Sequence, residues 1–216
     1  AALQGSVVKN SGQLGATSLT EKGGKIVLMG DKIELTATSR IEANGPLGGG
    51  TVLVGGDWQG SGDTRQATQV TMVQGASIEA NATQQGDGGK VVLWSDVKNA
   101  NSLTQVEGRI EAKGAGKGNG GQVETSGHTL QVGELALSTQ ATGSGTNGEW
   151  LLDPANITIS SSPNSGQAYS GGTFAPSSGA TTSVINTATL QSVLDAGDIT
   201  ITTTNTGTAG VSAGNI

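Results

Sequence analysis

Residues 86–96 read GDGGKVVLWSD, a glycine cluster followed by an apolar run and a closing aspartate. In isolation such a stretch fits a phosphate cradle, a calcium loop or one turn of a repeating structure. The stretch has copies, and they decide among the three. GGKIVLMGD (23–31), GGTVLVGGD (49–57) and GGQVETSGH (120–128) share its layout, and GEWLLDP (148–154) is a degenerate fifth. The residue after the glycines is Lys25, Thr51, Lys90, Gln122 and Glu149 in turn, so successive copies lie 26, 39, 32 and 27 residues apart.

A second motif keeps step with the first: RIEANG (40–45), SIEANA (77–82) and RIEAKG (109–114). Between the two lies a third apolar pair, Ile33/Leu35, Val70/Met72 and Leu130/Val132, with Leu103 and Val106 out of step in the remaining copy. Residues alternate in these segments. In KIELTA (32–37), Ile33, Leu35 and Ala37 share one face of an extended strand, and Lys32, Glu34 and Thr36 the other. Three short strands per period of this length describe one coil of a parallel β-helix, a solenoid whose coils pair in parallel. An antiparallel sandwich also offers many short strands, but nothing makes it repeat at coil length. The expected fold is therefore all-β, a parallel β-helix with three short strands per coil, running as a single segment over 1–216. Glycine and asparagine are expected to supply left-handed turns at the corners.

The irregular periods locate insertions. DWQGSGDTRQAT (57–68) accounts for the longest period and reads as a loop pushed out from the coil, where solenoids carry recognition. Residues 160–183 form a low-complexity excursion rich in Ser and Gly. Beyond it Leu190, Val193 and Leu194 have helical spacing, with Asn186 or Thr187 as cap and Gly197 as terminator, which predicts one short helix over 187–196. Ile199 and Ile201 then resume a strand.

Composition narrows the function. The 216 residues include 37 glycines, no cysteine and five aromatic side chains, and the net charge is −6. Without clustered Lys and Arg, nucleic acid is not an expected partner. No apolar run approaches the roughly 20 residues of a spanning helix. AALQGSVVKNSGQLG at the start lacks the basic and apolar regions of a signal peptide, as an internal or mature piece would. Absent thiols remove disulfides and thiolate metal sites.

Local chemistry is sparse. GAGKGNGG (114–121) resembles a P-loop at a glance, but its Lys precedes Gly and a strand follows instead of a helix. Asp31, Asp57 and Asp96 fall at strand ends, away from the fixed aspartate register of calcium solenoids, and are expected to accept turn amides. His128 is the single histidine and sits at a corner position, so no triad or His-rich metal site is expected. No catalytic residue, metal or cofactor is assigned.

Two features suit ligand binding. Stacking the IEA motifs places Glu42, Glu79 and Glu111 in one outward row, with Arg40 and Arg109 two residues earlier on the same face. This row reads either as a solvated charge ladder, with the arginines relieving repulsion, or as a glycan-binding strip. Trp58, in the polar insertion, is the best candidate for a sugar-stacking platform. Trp94 and Trp150 lie in the repeated strands, where either face is open to them. NAT (81–83) and NIT (156–158) are sequons that would glycosylate Asn81 and Asn156 in a source that modifies them.

GGKVVLWSD, GRIEAKG…GNGGQVETSGH and above all GEWLLDPANITI resemble two-partner-secreted exoproteins of the filamentous haemagglutinin type, across roughly residues 20 to 160. TLQSVLDAGDITITTTNTG also looks like sequence of that family. The N-terminal secretion domain of the family opens with an NPNG-type motif that is absent here, which implies a segment downstream of it. The resemblance implies a right-handed β-helix, export through an outer-membrane transporter partner, and display at the bacterial surface. It further implies attachment, aggregation or biofilm formation, with host or matrix glycans or surface receptors as partners. A carbohydrate-binding or carbohydrate-cleaving β-helix, and a passive stalk of a contact-dependent toxin or haemolysin, are the alternatives.

Overall fold

The structure is a computed structural model. It describes residues 1–99 and 101–153, and beyond them the backbone of 158–160, 168–170, 173–175, 184–188 and 200–201. Up to Asp153 the strands are β1 (Ala2–Gln4), β2 (Val7–Asn10), β3 (Gln13–Gly15), β4 (Lys25–Met29), β5 (Lys32–Leu35), β6 (Arg40–Glu42), β7 (Thr51–Val54) and β8 (Gln69–Met72). They continue with β9 (Ser77–Glu79), β10 (Lys90–Trp94), β11 (Leu103–Glu111), β12 (Gln122–Ser126), β13 (Thr129–Ser138) and β14 (Glu149–Asp153).

The described chain is nearly all parallel β-sheet with almost no helix. Sheet A has the order β1-β4-β7-β10-β12-β14, and sheet B the order β2-β5-β8-β11-β9-β6-β3 with β13 against β11. Each glycine-opened copy adds one strand to sheet A in sequence order. The pairing is residue for residue: Lys25 faces Thr51, Thr51 faces Lys90, Lys90 faces Gln122 and Gln122 faces Glu149. In sheet A the unequal spacings of the copies are absorbed between strands; in sheet B one residue is absorbed within the β11–β13 pairing, whose register shifts between Val106 and Gly108.

Alternation then sorts the side chains. Ile26, Val52, Val91, Val123 and Trp150 form one buried row of sheet A, and Ile41, Ile78 and Ile110 form another in sheet B. All belong to one apolar cluster with Leu35, Met72, Val106 and Val132. Burying each such side chain is worth about 1.5–3 kcal/mol.

The out-of-step copy resolves here. Thr104, not Leu103, aligns with Val70 and Leu130, while Val106 keeps its place opposite Met72 and Val132. A threonine is tolerated in the core row because its hydroxyl meets Ser95 Oγ at 2.9 Å and donates to the Ser126 carbonyl at 2.7 Å. The first 15 residues, in which no copy is legible, supply β1, β2 and β3 and pair in register with β4, β5 and β6.

The glycine pairs have a different cause from the one expected. None of Gly23, Gly24, Gly49, Gly50, Gly88, Gly89, Gly120 and Gly121 has a positive φ. All but Gly24, where a Cβ would meet Ala16 at a merely tight 3.2 Å, are glycine because neighbouring backbone leaves no room for a side chain. A Cβ on Gly49 would stand 2.0 Å from the Ala80 carbonyl oxygen, and one on Gly89 2.1 Å from that of Gly50. Glycine does supply left-handed turns elsewhere, at Gly48, Gly55, Gly75, Gly86, Gly108 and Gly116 among others, but among the described residues asparagine supplies none. The single non-glycine with positive φ among the described residues is Gln59, at 53°.

Past residue 153, β15 (Thr158–Ser160) pairs in parallel with β18 (Val184–Asn186). Inside the low-complexity excursion, β16 (Ala168–Ser170) and β17 (Thr173–Ala175) pair antiparallel, and β17 pairs in parallel with β19 (Thr200–Ile201). The helix expected over 187–196 falls, after its first two positions, outside the described residues.

Candidate functional site

The register of β6, β9 and β11 builds the outward row. Glu42 lies opposite Glu79, and Glu79 opposite Glu111, so three carboxylates stand at neighbouring strand positions. Strands in a sheet lie about 4.8 Å apart, and unscreened like charges at that spacing repel. Each carboxylate has its own relief. Arg109 forms ion pairs with Glu79 and, at 3.0 Å, with Glu111, and Lys113 reaches Glu111 at 2.8 Å. Asn44 donates to Glu79 at 3.2 Å, Asn81 to Glu111 at 3.2 Å, and Gln13 to Glu42 at 3.3 Å.

These contacts set the titration. Burial alone would raise the Glu111 pKa, but Lys113, Arg109 and the Asn81 amide together outweigh it and hold the carboxyl below its ordinary value. Arg109 is held above its ordinary value: burial works against the charge, and the two glutamates more than compensate.

Arg40 departs from expectation. It points away from the glutamates, and its Nη1 donates to the carbonyls of Ala37 (3.1 Å), Ser39 (2.7 Å) and Gly75 (2.7 Å). Three converging carbonyls at a corner outcompete a screened carboxylate for the guanidinium. Thus Arg109 neutralises the ladder and Arg40 does not.

Trp58 also differs from an open platform. The insertion 57–68 folds back over the outer face of sheet A instead of standing away from it. Beneath it lie Leu53, Val92 and Trp94, a second apolar cluster to which Val27, Trp58 and Val97 add their edges. Trp94 therefore faces away from the main core and is still only 2% exposed. Its indole N–H donates to Gln66 Oε1 at 3.0 Å, and Gly60 passes so close that a Cβ there would stand 2.6 Å from the ring. Trp58 is half-buried, with Lys90 Nζ 4.9 Å from its ring centroid, so a cation already occupies one face.

The flap is tied at both ends. Arg65 forms an ion pair with Asp31, one strand back, and the Gln59 amide donates to Glu124 Oε2 at 2.8 Å, two strands on. Asp31 accordingly holds a guanidinium. Asp57 and Asp96 do accept turn amides, from Trp58 at 2.8 Å and Lys98 at 3.0 Å.

Two sets of residues escaped the sequence reading. The first is an asparagine ladder: Asn44 Oδ1 accepts the Asn81 amide at 2.7 Å, and Asn81 Oδ1 accepts the Lys113 amide at 2.8 Å. Its signal was the Asn that follows IEA in two motif copies. Both polar atoms of the Asn81 side chain are thereby engaged, one with Lys113 and one with Glu111. Asn156, the other sequon, lies outside the described residues. The second is Glu124, a fully buried carboxylate in the outward row that elsewhere holds Val27, Leu53 and Val92. Ser126 Oγ donates to it at 2.9 Å. A glutamate in an otherwise apolar register position was the clue.

His128 sits at the corner between β12 and β13, half-buried, with Nδ1 3.2 Å from the Val97 carbonyl. Among the described residues no three His, Asp or Glu side chains gather as a metal site requires, and no helix is long and apolar enough to cross a membrane.

No protein-family model matches the chain, and no curated protein matches it in sequence. Among solved structures, the secretion domain of HMW1 from Haemophilus influenzae is similar at 25% identity with a TM-score of 0.45. The match covers 65% of this chain and 38% of that one, so the chain spans well under half of that structure's length.

Proposed function

We propose that this chain is a segment of a right-handed parallel β-helix, part of a bacterial surface protein of the filamentous haemagglutinin type. In this reading it is secreted through an outer-membrane transporter partner and acts in attachment, aggregation or biofilm formation. The observation that carries it is the unbroken register from Lys25 to Glu149, in which each glycine-opened copy adds one parallel strand. Added strands lengthen the sheets by about 4.8 Å each, so the structure extends in one direction without needing a larger core. A unit built this way serves as a stiff rod. Its role is mechanical and adhesive, not enzymatic, with host or matrix glycans or surface receptors as partners. The motif resemblance of GGKVVLWSD and GEWLLDPANITI supports the same assignment.

A second reading, a passive stalk whose binding tip lies elsewhere, draws support from the flap, since the insertion best suited to recognition is folded down. Coating beads with the chain separates the two. Attachment to epithelial monolayers or to other coated beads, blocked by excess free chain, is the expected result. Beads that stay dispersed and unattached on every surface would overturn the adhesive reading and leave the stalk.

A further inference from the structure

The open side of the charged ladder holds a recess of about 290 Å³ that the stacking alone does not explain. Its register is Arg40, Ser77, Arg109 and Ala136, on β6, β9, β11 and β13. Gly75 and Gly108 line its edge. The two arginines flank Ser77, roughly 10 Å apart across two strand spacings.

Two of these side chains have capacity left over. Arg40 meets no carboxylate among the described residues, yet one end of its guanidinium is anchored by the three carbonyls that Nη1 contacts. Nε and Nη2 make no hydrogen bond there. Ser77 is 6% exposed, and its hydroxyl makes no hydrogen bond among the described residues while keeping a narrow opening to the recess. A hydroxyl with no protein partner is free to donate to a ligand acceptor that enters the recess. A pre-oriented guanidinium beside such a hydroxyl matches the oxygens of one oxoanion, which a guanidinium can grip through two parallel hydrogen bonds.

We infer that the recess between Arg40 and Arg109 binds a single oxoanion group, carboxylate or sulfate, on a ligand about the size of one sugar ring. Arg40 carries the charge recognition and Ser77 donates the central hydrogen bond. Arg109, already shared by Glu79 and Glu111, closes the far wall and adds little net charge. The nearby glutamates keep the affinity modest, on the order of millimolar, and salt should weaken it further. The inference goes beyond the proposed function, because it holds whether the chain is an adhesive surface or a bare rod.

Titration of the full chain with glucuronate, sodium sulfate and glucose, followed by amide chemical shifts of Gly75, Ser77 and Gly108, tests it. Saturable shifts with glucuronate or sulfate but not glucose are expected, and the tighter of the two identifies the oxoanion. Arg40→Ala should weaken binding about tenfold or more, and Ser77→Ala severalfold, with the remaining spectrum unchanged. Arg40→Lys keeps the charge, loses the fork and should fall between parent and Arg40→Ala. No saturation with either anion, an equal response to glucose, or unchanged affinity in Arg40→Ala would each overturn the assignment.

Discussion

The outer face of sheet A and the outer face of the charged ladder share the same strand spacing and the same alternation, yet one is roofed and the other open. Over sheet A the outward row is Val27, Leu53, Val92 and Glu124, with Trp94 beside it, and the flap covers Leu53, Val92 and Trp94. Along the ladder the outward row is Glu42, Glu79 and Glu111, and it stays accessible because arginine, lysine and amide side chains satisfy it from the side. An apolar outward row has to be covered, and covering it uses up the insertion. A charged outward row needs only its neighbours. What can meet a partner is therefore decided by which rows the insertion leaves alone.

That contrast can be broken from the roofed side first. Trp94→Ala removes the largest side chain beneath the flap and should cost about 3–5 kcal/mol, read as a drop in the urea midpoint. A loss under about 1 kcal/mol would mean that the flap does not depend on the tryptophan. Glu124→Ala comes next. It strands the Gln59 amide and the Ser126 hydroxyl, for an expected cost of about 1–3 kcal/mol. Because one end of the flap is released, iodide should also quench tryptophan fluorescence more strongly than in the parent. Quenching equal to the parent's would show the flap held without that carboxylate.

The open face should respond least, and through pH. The Glu111 pKa is lower in the folded chain than the unfolded value of about 4.3. Its stabilising contribution is therefore present above the unfolded value and lost as pH falls through the folded one. For a partly exposed pair the effect is at most about 1 kcal/mol. Urea midpoints of the parent and Glu111→Gln should differ at pH 7 and converge as the solution is acidified below pH 4 or so. A gap that widens on acidification would contradict the charge assignment.

Much of the layout was readable from the residues because the repeated rows are contacts as well as patterns. Lys25, Thr51, Lys90, Gln122 and Glu149 could be aligned by eye, and they face one another in the sheet. The glutamate row followed from the same alignment. What escaped depends on side-chain reach and on segments without a pattern. Nothing in the sequence says that Arg40 turns to three carbonyls while Arg109 turns to carboxylates. The residues of β1 to β3 carry no glycine pair, so their period stayed hidden although their pairing is regular. In the flap, polar composition does not mean exposure. The corrective lay in the strands under it, where Leu53, Val92 and Trp94 make the supposedly outer positions apolar.

The glycine pairs also bear on how such a chain can vary over generations. At every one of them except Gly24, any missense change adds at least one carbon where the adjacent backbone already stands, 2.2 Å away at Gly88 and 1.6 Å at Gly120. No gentle substitution exists at these sites, whereas the stretches between strands already differ in length from copy to copy. Heritable variation is thus steered out of the stacked corners and into the intervening segments, where a new surface can arise without disturbing the stack.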